Sequence, residues 1–255
     1  MTRPWYDLTG KVALVVGASR GLGKEAALAL ASGGADVACA ARSELALNAT
    51  VSEIEARGRR SIPLILDAAD ERSLEAGINQ VATAWGDLDV LVFAAGVMHA
   101  SRAGDTSVSD WERVLRTNLT GAFVAARATE RHMQKRGGRM IFFSTAFVDR
   151  ALPGTLAYSV SKSGIRQLVR SLAVEWARYR ITVNAIAPGY FATDMPRAVL
   201  DTPEGREKVL SRIPARRVGE PSEIGPLVHY LASDGSSFMT GAVLTIDGGQ
   251  SLNVS

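Results

Sequence analysis

Cysteine is almost missing: the 255 residues contain one, Cys39, in an apolar stretch. A single thiol excludes an intrachain disulfide framework and by itself argues for no compartment. Histidine is nearly as sparse. His99, His132 and His229 lie far apart, at none of the spacings that hold a zinc ion, and no metal is expected. Long apolar runs are missing too. No stretch approaches the roughly 18 residues of a membrane-spanning helix, and residues 1–7 do not read as a signal peptide. No membrane partner and a cytoplasmic location are therefore expected. Nor is there a block of like charge. Lys+Arg 29 against Asp+Glu 26 leaves a formal charge of +3, with the signs interspersed. The densest basic stretches, Arg57-Gly58-Arg59-Arg60 and residues 212–217, read as solvated faces, so no nucleic-acid partner is expected.

What is present is a chain 47% hydrophobic and 22% charged, suited to a large α/β unit. Short apolar runs at 12–16, 36–41, 62–66, 89–93, 139–143, 181–186 and 242–246 read as strands. Helical patterns occupy 21–32, 43–57, 71–85, 108–134, 155–178 and 221–233. In 106–110, Thr106 and Ser107 are capping residues ahead of Trp111 and fit a helix start. Strand and helix alternate without a linker. The expectation is one domain, 1–255, built on a single doubly wound parallel sheet of about seven strands with helices on both faces. Residues 190–215 break the pattern with Pro196, Pro203 and Pro214 and no clean period. They read as an irregular excursion, either a substrate lid or an ordinary surface insertion.

Two short words carry chemistry. Gly17-x-x-x-Gly21-x-Gly23 follows the strand Val12–Val16 and opens a helix. In that context glycines let the backbone turn tightly and approach a pyrophosphate, which the helix N-terminus then holds. The spacing is neither G-x-G-x-x-G nor a Walker A word, and a plain turn is the competing reading. The second word is Tyr158-Ser159-Val160-Ser161-Lys162. A Tyr and a Lys four apart share a helix face. The ammonium beside the phenol is expected to lower the tyrosine's pKa from ~10 and fit it for acid/base work. Alone, the pair also reads as a tyrosine packed beside a solvated lysine.

Five segments occur in one order: the glycine word, Asn118-Leu119-Thr120-Gly121, Tyr158-x-x-x-Lys162, Pro188-Gly189 with Thr193, and the ending 240–249. Together they resemble the short-chain dehydrogenase/reductase family over nearly the whole chain, with a Rossmann-type sheet. The resemblance is nearest to the bacterial branch of 3-oxoacyl-carrier-protein reductases and gluconate or sugar-alcohol dehydrogenases, which Ile213-Pro-Ala-Arg-Arg-Val-Gly-Glu-Pro221 also resembles. It implies a catalytic set of Asn118, Thr145, Tyr158 and Lys162. Tyr158 acts as general acid in reduction, Lys162 binds the nicotinamide ribose, and Asn118 bends its helix and supports a water relay. The family's serine hydroxyl falls thirteen residues before the tyrosine, at Thr145; Ser144, one residue earlier, is the alternative.

The same resemblance implies a cofactor site. It takes in Gly17, Ser19, Arg20, Gly21, Leu22, Gly23, Asp67 and Ala68 on one side. On the other it takes in Ala95, Gly96, Asn118, Tyr158, Lys162, Pro188, Gly189, Phe191 and Thr193. Val16 stands where a Thr is usual, and Phe93-Ala94 precede Ala95-Gly96 where two Asn are usual. The end of the second strand lacks an acid for a ribose 2′-hydroxyl: Ala41 is followed by Arg42. Arg42 and Arg20 together suit a 2′-phosphate, which points to NADP(H).

The expected function is an NADP(H)-dependent oxidoreductase interconverting a carbonyl and a secondary alcohol. The alternatives are a regulatory NADP(H)-binding protein without turnover, and an epimerase or dehydratase that retains the cofactor. The partner is a small carbonyl or alcohol substrate, and a homotetramer is expected from the resemblance and the apolar residues of helices 108–134 and 155–178. Pocket candidates are Met98, His99, Phe147, Val148 and Leu152, with Tyr190, Met195 and Leu200 from the excursion. Arg102 or Arg150 could meet a carboxylate.

Overall fold

The computed structural model describes residues 5–148, 150, 152–194 and 200–252. Seven strands form one sheet: β1 (Val12–Val16), β2 (Asp36–Ala41), β3 (Ser61–Ile65), β4 (Val90–Phe93), β5 (Gly138–Phe143), β6 (Ile181–Pro188) and β7 (Val243–Ile246). All neighbours are parallel, in the order β3-β2-β1-β4-β5-β6-β7. Among the described residues the α-helices are α1 (Gly21–Ser32), α2 (Glu44–Glu55), α3 (Glu71–Trp85), α4 (Val108–Leu115), α5 (Gly121–Met133), α6 (Leu156–Trp176), α7 (Pro203–Ser211) and α8 (Gly225–Ala232).

Strands such as Val12–Val16 read as unbroken apolar runs because both faces are buried. Leu14, Leu91, Phe93 and Phe142 join one core with α3, α5 and α6. Their neighbours Val15, Val92 and Ile141 join the other core with α1, α2 and α8. A fully buried Leu or Phe contributes about 1.5–3 kcal/mol, so these two layers hold the sheet. Close approach matters at Gly121 on α5, where a Cβ would run into the Ala68 carbonyl oxygen.

The register sets where chemistry can occur. Val16 pairs with Ala40 and Phe93, Phe93 with Phe142, and Phe143 with Ile186. The C-terminal ends of these five strands therefore share one sheet edge. The chain leaves β1 toward β2 and β3, then returns to β4 on the other side of β1. The crevice at that reversal is where open α/β sheets bind ligands.

Two features depart from the sequence reading. The helix expected over 108–134 is interrupted by a π-helical turn at Arg116–Thr120, between α4 and α5. The excursion 190–215 is not irregular throughout, for it contains α7. Thr202 caps that helix, its Oγ1 accepting from Gly205 N at 3.2 Å. Pro203 occupies the first turn, where a missing N–H costs nothing, so a proline read as a breaker starts a helix. Among the described residues no helix is long and apolar enough to cross a membrane.

Candidate active site

The glycine word forms the turn from β1 to α1. Gly17 adopts φ +94°, and a Cβ there would lie 2.6 Å from Ala95 N, at the end of β4. A Cβ on Gly23 would collide with the Gly17 carbonyl oxygen. Side chains at either place would push the turn off the strand ends. Gly21, at φ +55°, faces the Thr193 methyl, so the loop after β6 reaches the same turn. Leu22 packs on the core. The residue capping α1 is Arg20, and its side chain makes no cap hydrogen bond. By contrast, Asp70 caps α3 and Ser107 caps α4. The first-turn N–H groups of α1, beside Ser19, thus lack a side-chain cap and suit a pyrophosphate.

At the neighbouring strand ends, Arg42 is exposed after β2. Arg20 does not simply stand beside it: its guanidinium pairs with Asp194 Oδ2 at 3.4 Å. Both partners are well exposed, so the pair is weak and opens at little cost. After β3, Asp67 turns back on its own loop, Oδ1 accepting from Ala69 N at 2.9 Å. Ala68 is buried beneath it.

The π-turn carries Asn118 inward, fully buried. Its Oδ1 accepts from Val97 N at 2.8 Å, and its Nδ2 donates to Val97 O at 2.9 Å and to Ser161 Oγ at 3.0 Å. Ser161 Oγ donates to the Tyr158 carbonyl at 2.7 Å. The sequence reading missed Ser161. A serine between Tyr and Lys carries no signal until the helix is docked. One helical turn brings Lys162 beside Tyr158, with Nζ 5.9 Å from the ring centroid, donating to Phe143 O at 2.8 Å. Lys162 Nζ and Asn118 Oδ1 lie 3.4 and 3.5 Å from where a Gly96 Cβ would stand. The absent side chain leaves a cradle over both groups.

The two hydroxyl residues follow strand β5 directly. The Thr145 side chain faces the Tyr158 phenol closely enough to favour its ionised form. Ser144 Oγ instead donates to the Lys162 carbonyl at 3.0 Å and is buried. The two hydroxyls therefore have different partners.

Burial dominates the titration of this cluster. It pushes the Tyr158 phenol up to about 12; the Thr145 side chain opposes the shift and Tyr190 adds to it. It pushes the Lys162 ammonium down to about 8. The sequence expectation had the opposite sign for Tyr158. The reason is desolvation, which outweighs an ammonium that is itself buried and turned to a main-chain carbonyl.

This shift has a stability consequence. A lysine with a folded pKa of about 8 against 10.5 carries a charging penalty, present in full below pH 8 and gone by about 10.5. The unfolded chain binds more protons in that window, so stability rises with pH there. Tyr158, raised from 10.0, acts oppositely and only above that pH. In nucleotide-free buffer, wild type should gain about 3 kcal/mol on Lys162→Met between those two pH values, at roughly 1.4 kcal/mol per unit. Urea melts of both proteins at several pH values check this; parallel curves would refute it.

On the far side, Pro188 ends β6 and Gly189 N donates to Ile246 O at 3.0 Å. A Gly189 Cβ would lie 2.6 Å from Asp247 Cβ. The Phe191 ring is buried against Gly219. Thr193 N donates to Phe191 O at 2.8 Å. Of the pocket candidates, Phe147 and Tyr190 stack edge to face, while Met195 lies outside the described residues. Arg150 is half-buried and Arg102 exposed.

The sequence profile described as "Enoyl-(Acyl carrier protein) reductase" matches residues 17–251. The chain is 33% identical over 245 residues to gluconate 5-dehydrogenase of Gluconobacter oxydans, covering 96% of each. It is 36% identical over 243 residues to 3-oxoacyl-[acyl-carrier-protein] reductase of Haemophilus influenzae, covering 95% of this chain and 98% of that one. Among solved structures, a gluconate 5-dehydrogenase from Burkholderia cenocepacia in complex with NADP and tartrate superposes with a TM-score of 0.94. It shares 31% identity and 98% of each chain is covered.

Proposed function

The chain belongs to the short-chain dehydrogenase/reductase family, and from that premise we propose an NADP(H)-dependent oxidoreductase that interconverts a carbonyl and a secondary alcohol. The observation carrying this reading is the Tyr158 phenol with the Thr145 hydroxyl near enough to lower its pKa, set beside Lys162 and Asn118 at the strand edge that holds the glycine turn. The cradle over Gly96 and the uncapped start of α1 fit a dinucleotide. NADP(H), when bound, supplies or accepts the hydride.

The chain's own groups handle the oxygen and its proton. Tyr158, held protonated by burial, gives its phenol proton to the carbonyl oxygen in reduction. Thr145 donates a second hydrogen bond to that oxygen as negative charge grows there. Lys162, Asn118 and Ser161 hold the tyrosine's helix in register. Thr193 and the start of 190–215, in contact with the glycine turn, support reading that segment as a lid.

NADPH consumption with a panel of carbonyl compounds tests the reading. Nucleotide binding with no turnover would favour the regulatory alternative. Conversion of a substrate at constant oxidation level would favour an epimerase or dehydratase.

Cofactor choice follows from Arg42 and Arg20. Arg20 leaves its exposed partner Asp194 to meet the 2′-phosphate. Losing one charge-assisted contact costs roughly 1.5–3 kcal/mol, or 10- to 150-fold in affinity. Arg42→Ala should weaken NADPH binding by that factor and leave NADH binding nearly unchanged. Fluorescence titration of both nucleotides checks this, and equal wild-type affinities would defeat it.

A further inference from the structure

Beside the two reacting hydroxyls stands a wall of rings that the proposed chemistry does not use. Phe147 follows Thr145 closely, its amide 3.4 Å from the Thr145 hydroxyl oxygen. Tyr190 arrives from the end of β6 and acts electrostatically on the Tyr158 phenol. The two rings meet edge to face, centroids 5.5 Å apart and planes at 63°. Both residues are half-buried, so each keeps open surface. Such a pair is a stiff apolar surface, since each ring blocks the other's rotation.

The surrounding loops are tied together. Ser101 N donates to Gly154 O at 3.0 Å, and Ser101 pairs with Thr155, joining the loop after β4 to the loop before α6. These loops carry Val148 and Leu152, half-buried, and Met98, 40% exposed. His99 on the first loop lies 3.7 Å from Asp110.

Resting on the carbonyl–alcohol reading above, we propose that the substrate is an uncharged ketone whose apolar, ring-bearing substituent seats against Phe147 and Tyr190. Those two residues then determine specificity. A ring placed there loses water on an apolar surface and meets complementary ring edges. A keto sugar acid would press hydroxyls and a carboxylate against the same two rings, whose one polar group is the Tyr190 hydroxyl. Each polar group buried without a partner lowers binding by roughly tenfold or more.

The test is NADPH oxidation by the full chain with propiophenone, 5-keto-D-gluconate and acetoacetyl-N-acetylcysteamine. The expected kcat/KM for propiophenone exceeds that for the sugar acid by about 10²-fold and that for the thioester by about tenfold. Phe147→Ala and Tyr190→Ser should each raise the propiophenone KM about tenfold or more while kcat falls much less, and Tyr190→Phe should recover most of the loss. NADPH titration of each variant shows that the fold persists. If the sugar acid or the thioester is the better substrate, or if both ring deletions leave the propiophenone KM within about twofold, the ring-wall proposal falls while the carbonyl reading stands. If no carbonyl oxidises NADPH, the carbonyl reading itself falls, and this proposal with it.

Discussion

Tyr158→Phe is expected to cut turnover by roughly 10²–10⁴-fold, the usual contribution of a positioned general acid. NADPH should still bind to within a few-fold, because the glycine turn, α1 and Arg42 lie on other elements. The substitution keeps the ring and removes only the hydroxyl that Thr145 meets. Folding is therefore not at issue, and unchanged circular dichroism with a similar Tm serves as the control. Rapid-mixing kinetics with saturating NADPH separates the chemical step from product release. A variant retaining a tenth or more of the wild-type rate would mean that the proton comes from another donor.

Thr145→Ala should lose about 2.7–4 kcal/mol of transition-state stabilisation, or 10²–10³ in kcat, with cofactor affinity nearly unchanged. Thr145→Ser keeps a hydroxyl and should recover most of it. Ser144→Ala should behave differently, because its hydroxyl serves the Lys162 carbonyl at 3.0 Å inside the protein. Removing it takes away one hydrogen bond of a carbonyl that keeps its helical partner inside α6. That costs about 0.5–1.5 kcal/mol of stability, read as a lower urea midpoint, and little rate. If instead Ser144→Ala is the inactive variant and Thr145→Ala is not, the two roles are reversed. If neither matters while Tyr158→Phe does, some other group donates to the substrate oxygen.

The same pair shows how far sequence reasoning reaches. Counting thirteen residues back from Tyr158, as the family resemblance implies, chose Thr145, with Ser144 the alternative if the loop were one residue longer. Main-chain pairing separates them: Ser144 N donates to Ile186 O at 2.8 Å and Ala146 N to Pro188 O at 2.9 Å. That extends the β5–β6 ladder and turns the adjacent side chains to opposite sides. The partner strand that imposes this lies some forty residues away.

Local physics was legible in the sequence by itself. The all-buried strands are written as apolar runs, the turn after β1 as glycines, and the helix positions of Tyr158 and Lys162 as a four-residue spacing. All seven strands fall within a residue or two of the apolar runs, and their parallel direction, though not their order, follows from the alternation with helices. Where one residue supports two local states, the sequence was silent or misleading. Pro203 both breaks helices and starts them, and only its docked position settled it as a start.

Tertiary structure alone decided quantities that sum over distant groups. Burial by the whole cluster sends Tyr158 up to about 12, against the sign that a neighbouring lysine suggested. The Asn118–Ser161–Tyr158 chain joins the π-turn to α6, and Arg20 finds Asp194 from the other end of the sheet edge. Strand and turn formation depend on neighbours in the chain, which the sequence lists. Desolvation and hydrogen-bond partnership depend on neighbours in space, which exist only once the sheet has brought them together.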